Sequence, residues 1–386
     1  MTASSQAAPT TRLTSLDIVR GVVMVLMAID HVRVYAGVPA GGPTAGVFFT
    51  RWVTHFVAPG FCFLAGTGAF FHGRKLGDTG ALARYLVTRG LILVGLELTI
   101  IRFTWTFNFD YAHYVLAGVI WMLGWCMVLL AGLVRFRPKT VGIVGLAIVL
   151  FQQLFGVVQV LPESVRSMVG PLWAFLYPSG VNALGGVAVL YVIVPWIGVM
   201  AAGYGFGTIM LREPAERRRL CLRIGLSMTA LFLVAGGLLA ALGPRGENAP
   251  PFLFRLLNQQ KYPASQLFLL MTLGPTIALI PFAEQAKGWF AGVMAAFGRV
   301  PMFYYLLHIP TIHLAAMVVS VIRTGSVTPA LIGNFPLDPP QMPEGYRWSL
   351  WLLYLVWALC IVALYPACRW YAGLKARRKE GWLRYI

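Results

Sequence analysis

Apolar runs of membrane length, separated by turn-forming or charged stretches, recur along the whole chain. They divide into ten segments, approximately 16–36, 47–71, 83–102, 114–134, 140–160, 182–206, 220–242, 265–283, 300–322 and 349–372. About 20 apolar residues in a helix cover the hydrocarbon core of a bilayer. The dyad alternation of a membrane barrel is absent, and lipid offers no partner to an open backbone, so the runs are expected to be helices. The expected fold class is therefore all-α: a polytopic integral membrane helix bundle of about ten transmembrane helices. The domain reading is a polar N-terminal tail over 1–14, one transmembrane domain over 15–372 and a basic C-terminal tail over 373–386. No internal repeat stands out. Two connections are long, "GPRGENAPPFLFRLLNQQKYPAS" and "TGSVTPALIGNFPLDPPQMPEGYRW"; each reads equally well as an ordinary connector or as the cover of a cavity.

Composition sharpens this picture. The 386 residues are 58% hydrophobic and 11% charged, where soluble domains carry roughly 25% charged residues. A net charge of +18 raises the question of an anionic polymer as partner, and the position of the cations answers it. The N-terminus, the even-numbered connections and the C-terminal tail hold most of them, including Arg74, Lys75, Arg135, Arg137, Lys139, Arg217, Arg218, Arg219, Lys287, Arg299, Arg377 and Arg378. The odd connections hold chiefly Arg166, Arg245, Arg255, Lys261 and Arg347. This asymmetry predicts cytoplasmic termini and a multi-pass protein of the inner membrane, with the bilayer and not nucleic acid as partner. The N-terminal "MTASSQAAPTT" lacks the features of a cleaved signal, so the first segment is expected to act as an uncleaved anchor. Five cysteines, Cys62, Cys126, Cys221, Cys360 and Cys368, form no CxxC pair, and neither a disulfide framework nor a metal site is expected.

Candidate chemistry begins in the first segment, "SLDIVRGVVMVLMAIDHVR", which carries charge at both ends of its apolar run. On a helix Arg20 and His31 lie about 20° apart in azimuth and about 16 Å apart along the axis. Asp17 and Arg20, three residues apart, fit an interfacial anchor. Asp30 and His31 at the far end are costly in lipid unless they face a cavity or other polar groups, which makes them candidates for function. In the second segment Arg51 and His55 have i, i+4 spacing; they read either as a snorkelling cation with a hydrogen-bonded histidine or as partners of His31. The "AGTG" at 65–68 suits close helix packing. In the ninth segment Tyr304 and His308 share a face ahead of Pro310 and His313, as an internal hydrogen-bond pair or as substrate contacts. Arg299 precedes that segment as an anchor or as a phosphate-binding cation. Glu97 and Arg89 are further intramembrane charges, and Asp110 and His113 bound an aromatic connection. No GxSxG elbow, HExxH helix or phosphate loop occurs.

The spacing Leu16-Asp17-Ile18-Val19-Arg20-Gly21, followed by His31, resembles the first helix of membrane acyltransferases that O-acylate bacterial surface sugars. The longer "RLTSLDIVRGVVMVLMAIDHVR" with "FFTRWVTHFVAPGFCFLAGTGAF" is closer to bacterial membrane proteins related to the heparan-α-glucosaminide N-acetyltransferase catalytic domain. "VPWIGVMAAGYGFG", "KYPASQLFLLMTLGP" and "GRVPMFYYLLHIPTIH" also resemble that group. The resemblance implies transfer of an acyl group, acetyl first among them, from acetyl-CoA or another acyl-CoA to a hydroxyl or amino group of an extracytoplasmic glycan or related acceptor. It places the family's catalytic histidine at His31; the chemistry asks for a base there, with Asp30 orienting or charging it, and for donors to the developing oxyanion, which Arg51 or His55 can supply. Arg20 and Arg299 become the cations for the donor's phosphates, and His308 and Tyr304 the acceptor contacts. No histidine occurs in "AGVPAGGPTAGVFFT", where the lysosomal relatives carry theirs, so the acceptor is not carried over. The rival reading is a transporter or flippase, whose intramembrane His, Asp and Arg would relay protons or bind a polar solute.

Overall fold

The computed structural model describes residues 13–42, 44–177, 186–243, 249–334 and 342–378. Among the described residues the regular structure is helical apart from one pair of three-residue strands and an isolated bridge. In order, α1 spans Thr14–Tyr35, α2 Ala45–Leu76, α3 Thr79–Leu96, α4 Val119–Leu133, α5 Pro138–Leu150 and α6 Glu163–Trp173. The second half contributes α7 Trp196–Phe206, α8 Pro214–Leu242, α9 Gln266–Gln285, α10 Trp289–Arg299, α11 Pro301–Thr324 and α12 Leu350–Arg377. Strands β1 (Val115–Ala117) and β2 (Val187–Val189) pair in parallel.

Among the described residues five helices, α2, α8, α9, α11 and α12, are long and apolar enough to cross a membrane, and a sixth span results if α5 and the 3-10 helix Gln152–Val160, bent by 45°, are counted together. α1 occupies the expected place with 22 residues, but Asp17, Arg20, Asp30 and Arg33 keep it from the apolar class. Three segments depart from the sequence reading. The runs at 114–134 and 182–206 open as β1 and β2, and their helices begin only at Val119 and Trp196, after Gly118 and Pro195; residues 182–185 lie outside the described set. The run at 140–160 breaks at Phe151. The connection before α11 is itself helical, as α10, and α12 continues to Arg377, past the boundary expected at 372.

Helix ends follow local chemistry. Thr44, Asp78, Ser265 and Ser349 each accept a hydrogen bond from a first-turn amide of α2, α3, α9 or α12, which satisfies donors that a helix start leaves open. At α4 the buried Glu97 side chain lies against the helix start, with Oε1 where a Cβ on Gly118 would fall and Oε2 unpartnered among the described residues.

α1 lies at the centre, packed against α2, α9, α10, α11 and α12. Lipid is as apolar as any side chain, so helices gain little by burying leucine against one another and associate through close van der Waals approach. Glycines provide that approach. A Cβ at Gly21 or Gly298 would fall on the backbone carbonyl of Met294 or Asp17 across the α1–α10 contact, and one at Gly66 or Gly203 would strike Met200 or Phe63 across α2–α7. Gly90 faces Gly124, Gly145 faces Gly198 and Gly225 faces Gly274 in the same manner.

Candidate active site

The two-helix contact of α1 with α11 brings His31 to His308, 277 residues away in sequence, with His31 Nδ1 and His308 Nε2 2.7 Å apart. The direction of this hydrogen bond follows from the next one. His308 Nδ1 lies 2.7 Å from the Tyr305 carbonyl oxygen, which only accepts, so Nδ1 carries the proton. A neutral imidazole has one N–H, and His308 Nε2 must therefore accept. His31 Nδ1 then donates, and the proton-free nitrogen of His31 is Nε2; the bond to His308 is the one hydrogen bond of the His31 ring among the described residues. His308 is fully buried, its ring stacked on Tyr304 at 5.1 Å and 12°. Trp105 stands edge-on to His31 at 4.8 Å, and Tyr35 donates from its hydroxyl to the Trp105 carbonyl at 2.6 Å. Tyr304 donates to the Met24 carbonyl at 3.1 Å.

Asp30 does not hydrogen-bond His31. Its carboxylate pairs with Arg33 at 2.8 Å and with Arg51 at 3.6 Å, so its effect on His31 is electrostatic. Arg51 also donates to the Thr54 hydroxyl at 3.0 Å, and Arg33 to the Val38 carbonyl at 2.7 Å. α2 turns into a 3-10 helix over Val53–Phe56, which displaces His55 from the i, i+4 register with Arg51. His55 is buried edge-on to Phe268 at 5.3 Å, with Nδ1 unpartnered among the described residues.

The connection before α9 completes the cluster. Lys261, 7% exposed, places its ammonium 5.2 Å from the Tyr262 ring centre and 5.6 Å from that of Tyr191, and interacts electrostatically with Asp30, His31, Arg51 and His55. Burial pushes the Lys261 ammonium below its ordinary pKa, as desolvation disfavours the charged form.

Other predicted residues lie elsewhere. Arg20 donates to Asp17 at 3.3 Å and to the Gly298 carbonyl at 3.0 Å, at the opposite end of α1 from His31. Arg299 is exposed at the end of α10. His313 has the Thr104 and Leu331 carbonyls at 3.1 and 2.7 Å on its two ring nitrogens and is stacked on Phe107 and Tyr35, which makes it a structural clamp. Sequence reasoning missed Trp105, Tyr191, Lys261 and Tyr262. It also missed Arg102, fully buried, whose guanidinium binds the carbonyls of Tyr114, Asn108 and Asp110 and lies over Tyr111. Among the described residues no group of three or more His, Cys, Asp or Glu is placed to hold a metal ion.

Fold and site together define a helical membrane protein built around a paired-imidazole centre. A family model described as heparan-alpha-glucosaminide N-acetyltransferase, catalytic, matches residues 12–243, more than half of the chain, and the protein belongs to that family. The membership points to acetyltransferase activity. The match contains His31, Arg51 and His55 and ends before Lys261 and His308. No curated protein matches the chain.

Proposed function

We propose that the protein is a membrane acyltransferase that moves an acetyl group from acetyl-CoA to a hydroxyl or amino group of an extracytoplasmic glycan or related acceptor. The observation that carries this reading is the hydrogen-bond order Tyr305 carbonyl, His308, His31, which leaves His31 Nε2 as an unprotonated base. The acceptor oxygen or nitrogen attacks the thioester carbonyl while its proton passes to His31 Nε2. A tetrahedral oxyanion forms and collapses, the carbon–sulfur bond breaks, and the departing CoA sulfur takes the proton back from His31. General base catalysis of this kind contributes 10²–10⁴-fold.

Arg51, close to Asp30, and His55 are the donors for the oxyanion, the kind of preorganised group that carries much of acyl-transfer catalysis. His308, which the sequence suggested as an acceptor contact, acts in this reading as the group that sets the His31 tautomer, a role that outer partners of reactive imidazoles commonly fill. The positive-inside pattern supports cytoplasmic termini, an acceptor on the far side and a donor drawn from the cytoplasm past Arg20 and Arg299.

The test uses full-length protein in detergent, acetyl-CoA and amino-sugar acceptors, with release of the CoA thiol as readout. Thiol release that depends on acceptor, and falls by about 10²-fold or more in His31→Ala, supports the reading and separates an enzyme from a transporter. Undiminished turnover in a well-folded His31→Ala protein overturns it.

A further inference from the structure

The cluster beside His31 holds three cationic side chains, Arg33, Arg51 and Lys261, and one carboxylate, Asp30. Among the described residues Asp30 forms ion pairs with both arginines, and Lys261 forms none. Lys261 is held instead between the rings of Tyr191 and Tyr262, its ammonium 5.6 and 5.2 Å from their centres. Its backbone is fixed by a bridge to Ala264 and by the Ser265 amide on the Gln260 carbonyl at 3.0 Å. A buried cation surplus is unfavourable unless an anion compensates it, and isolated buried charge is tolerated mainly where function requires it. Tyr191 and Tyr262 contribute hydroxyls suited to the remaining lone pairs of an oxyanion.

We propose that Lys261, with Arg51 and the Tyr191 and Tyr262 hydroxyls, forms a subsite for an oxyanion group, a carboxylate, sulfate or phosphate, carried by a substrate whose reacting atom lies at His31. This inference rests on the reading that a substrate reaches His31. The group belongs either to the acceptor, as an acidic substituent of a sugar, or to the phosphates of an acyl donor that enters from the His31 end instead of past Arg20 and Arg299. In both cases the anion opposes the loss of charge that burial imposes on the lysine, so binding and protonation of Lys261 support each other.

The experiment is calorimetric titration of the full-length protein in detergent with glucosamine, glucosamine 6-sulfate and CoA, for wild type, Lys261→Gln and Lys261→Arg. A charge-assisted contact in a buried site predicts that Lys261→Gln weakens one anionic probe by about tenfold or more, with Lys261→Arg retaining most of the affinity. A loss confined to glucosamine 6-sulfate, with glucosamine unchanged, assigns the anion to the acceptor. A loss confined to CoA assigns it to the donor. Lys261→Gln protein that binds glucosamine 6-sulfate and CoA as tightly as wild type overturns the subsite. Binding is read without turnover, so failure of acetyl transfer in wild type would remove the enzymatic reading and leave this result standing.

Discussion

At the scale of single residues, the proposed mechanism has His308 make His31 a base by taking its Nδ1 proton into a hydrogen bond. Glutamine at 308 still offers an oxygen acceptor toward His31, whereas leucine fills similar space and offers none. We therefore expect His308→Leu to lower kcat by about 10- to 100-fold, the usual effect of removing the outer partner of a functional imidazole. KM should change little and His308→Gln should recover most of the loss. Steady-state kinetics on the two variants checks this, and equal activity in both would reduce His308 to packing. His31 was legible as a candidate because Asp30 and His31 at the far end of an apolar run are costly in lipid unless they face a cavity or other polar groups. Lys261 was not, because a lysine between two apolar segments looks like any loop cation until folding encloses it; nor was the pairing of His31 with His308, since no local spacing encodes a contact 277 residues long.

At the scale of elements the helices meet through glycine, and this gives a graded test. In Gly66→Ala the new Cβ falls within contact distance of the Met200 carbonyl, a backbone atom that cannot swing away, whereas Gly132 and Gly237 face open space. Overpacking of this kind costs about 1–3 kcal/mol, so Gly66→Ala should lower the apparent melting temperature by several degrees for a chain of this size. Gly132→Ala and Gly237→Ala should match wild type or exceed it, since alanine is the better helix former. Thermal unfolding in one detergent compares the three. The long apolar helices were legible from hydropathy, and "AGTG" announced one close contact through Gly66. The breaks were not legible: β1 and β2 are three residues each inside apolar runs, the 3-10 turn at Val53–Phe56 carries no proline or glycine, and the bend near Phe151 follows a run as apolar as its neighbours.

At the scale of the whole molecule the distribution of cations predicts that the C-terminus faces the cytoplasm. A green fluorescent protein fused after Ile386 should fluoresce, and an alkaline phosphatase at the same point should stay inactive; the opposite pattern would invert the map and place His31 on the donor's side. The long reach from His31 to His308 also orders events on the ribosome. α1 enters the membrane early, with Asp30 already paired to Arg33 within its own last turns, so its charged end travels as a neutral unit until α2 delivers Arg51. The base itself waits: a nascent chain that has reached residue 243 owns His31 but not the acceptor that sets its tautomer. In the proposed mechanism reactivity is thereby withheld until α11 is inserted, so an incomplete chain lacks a finished centre.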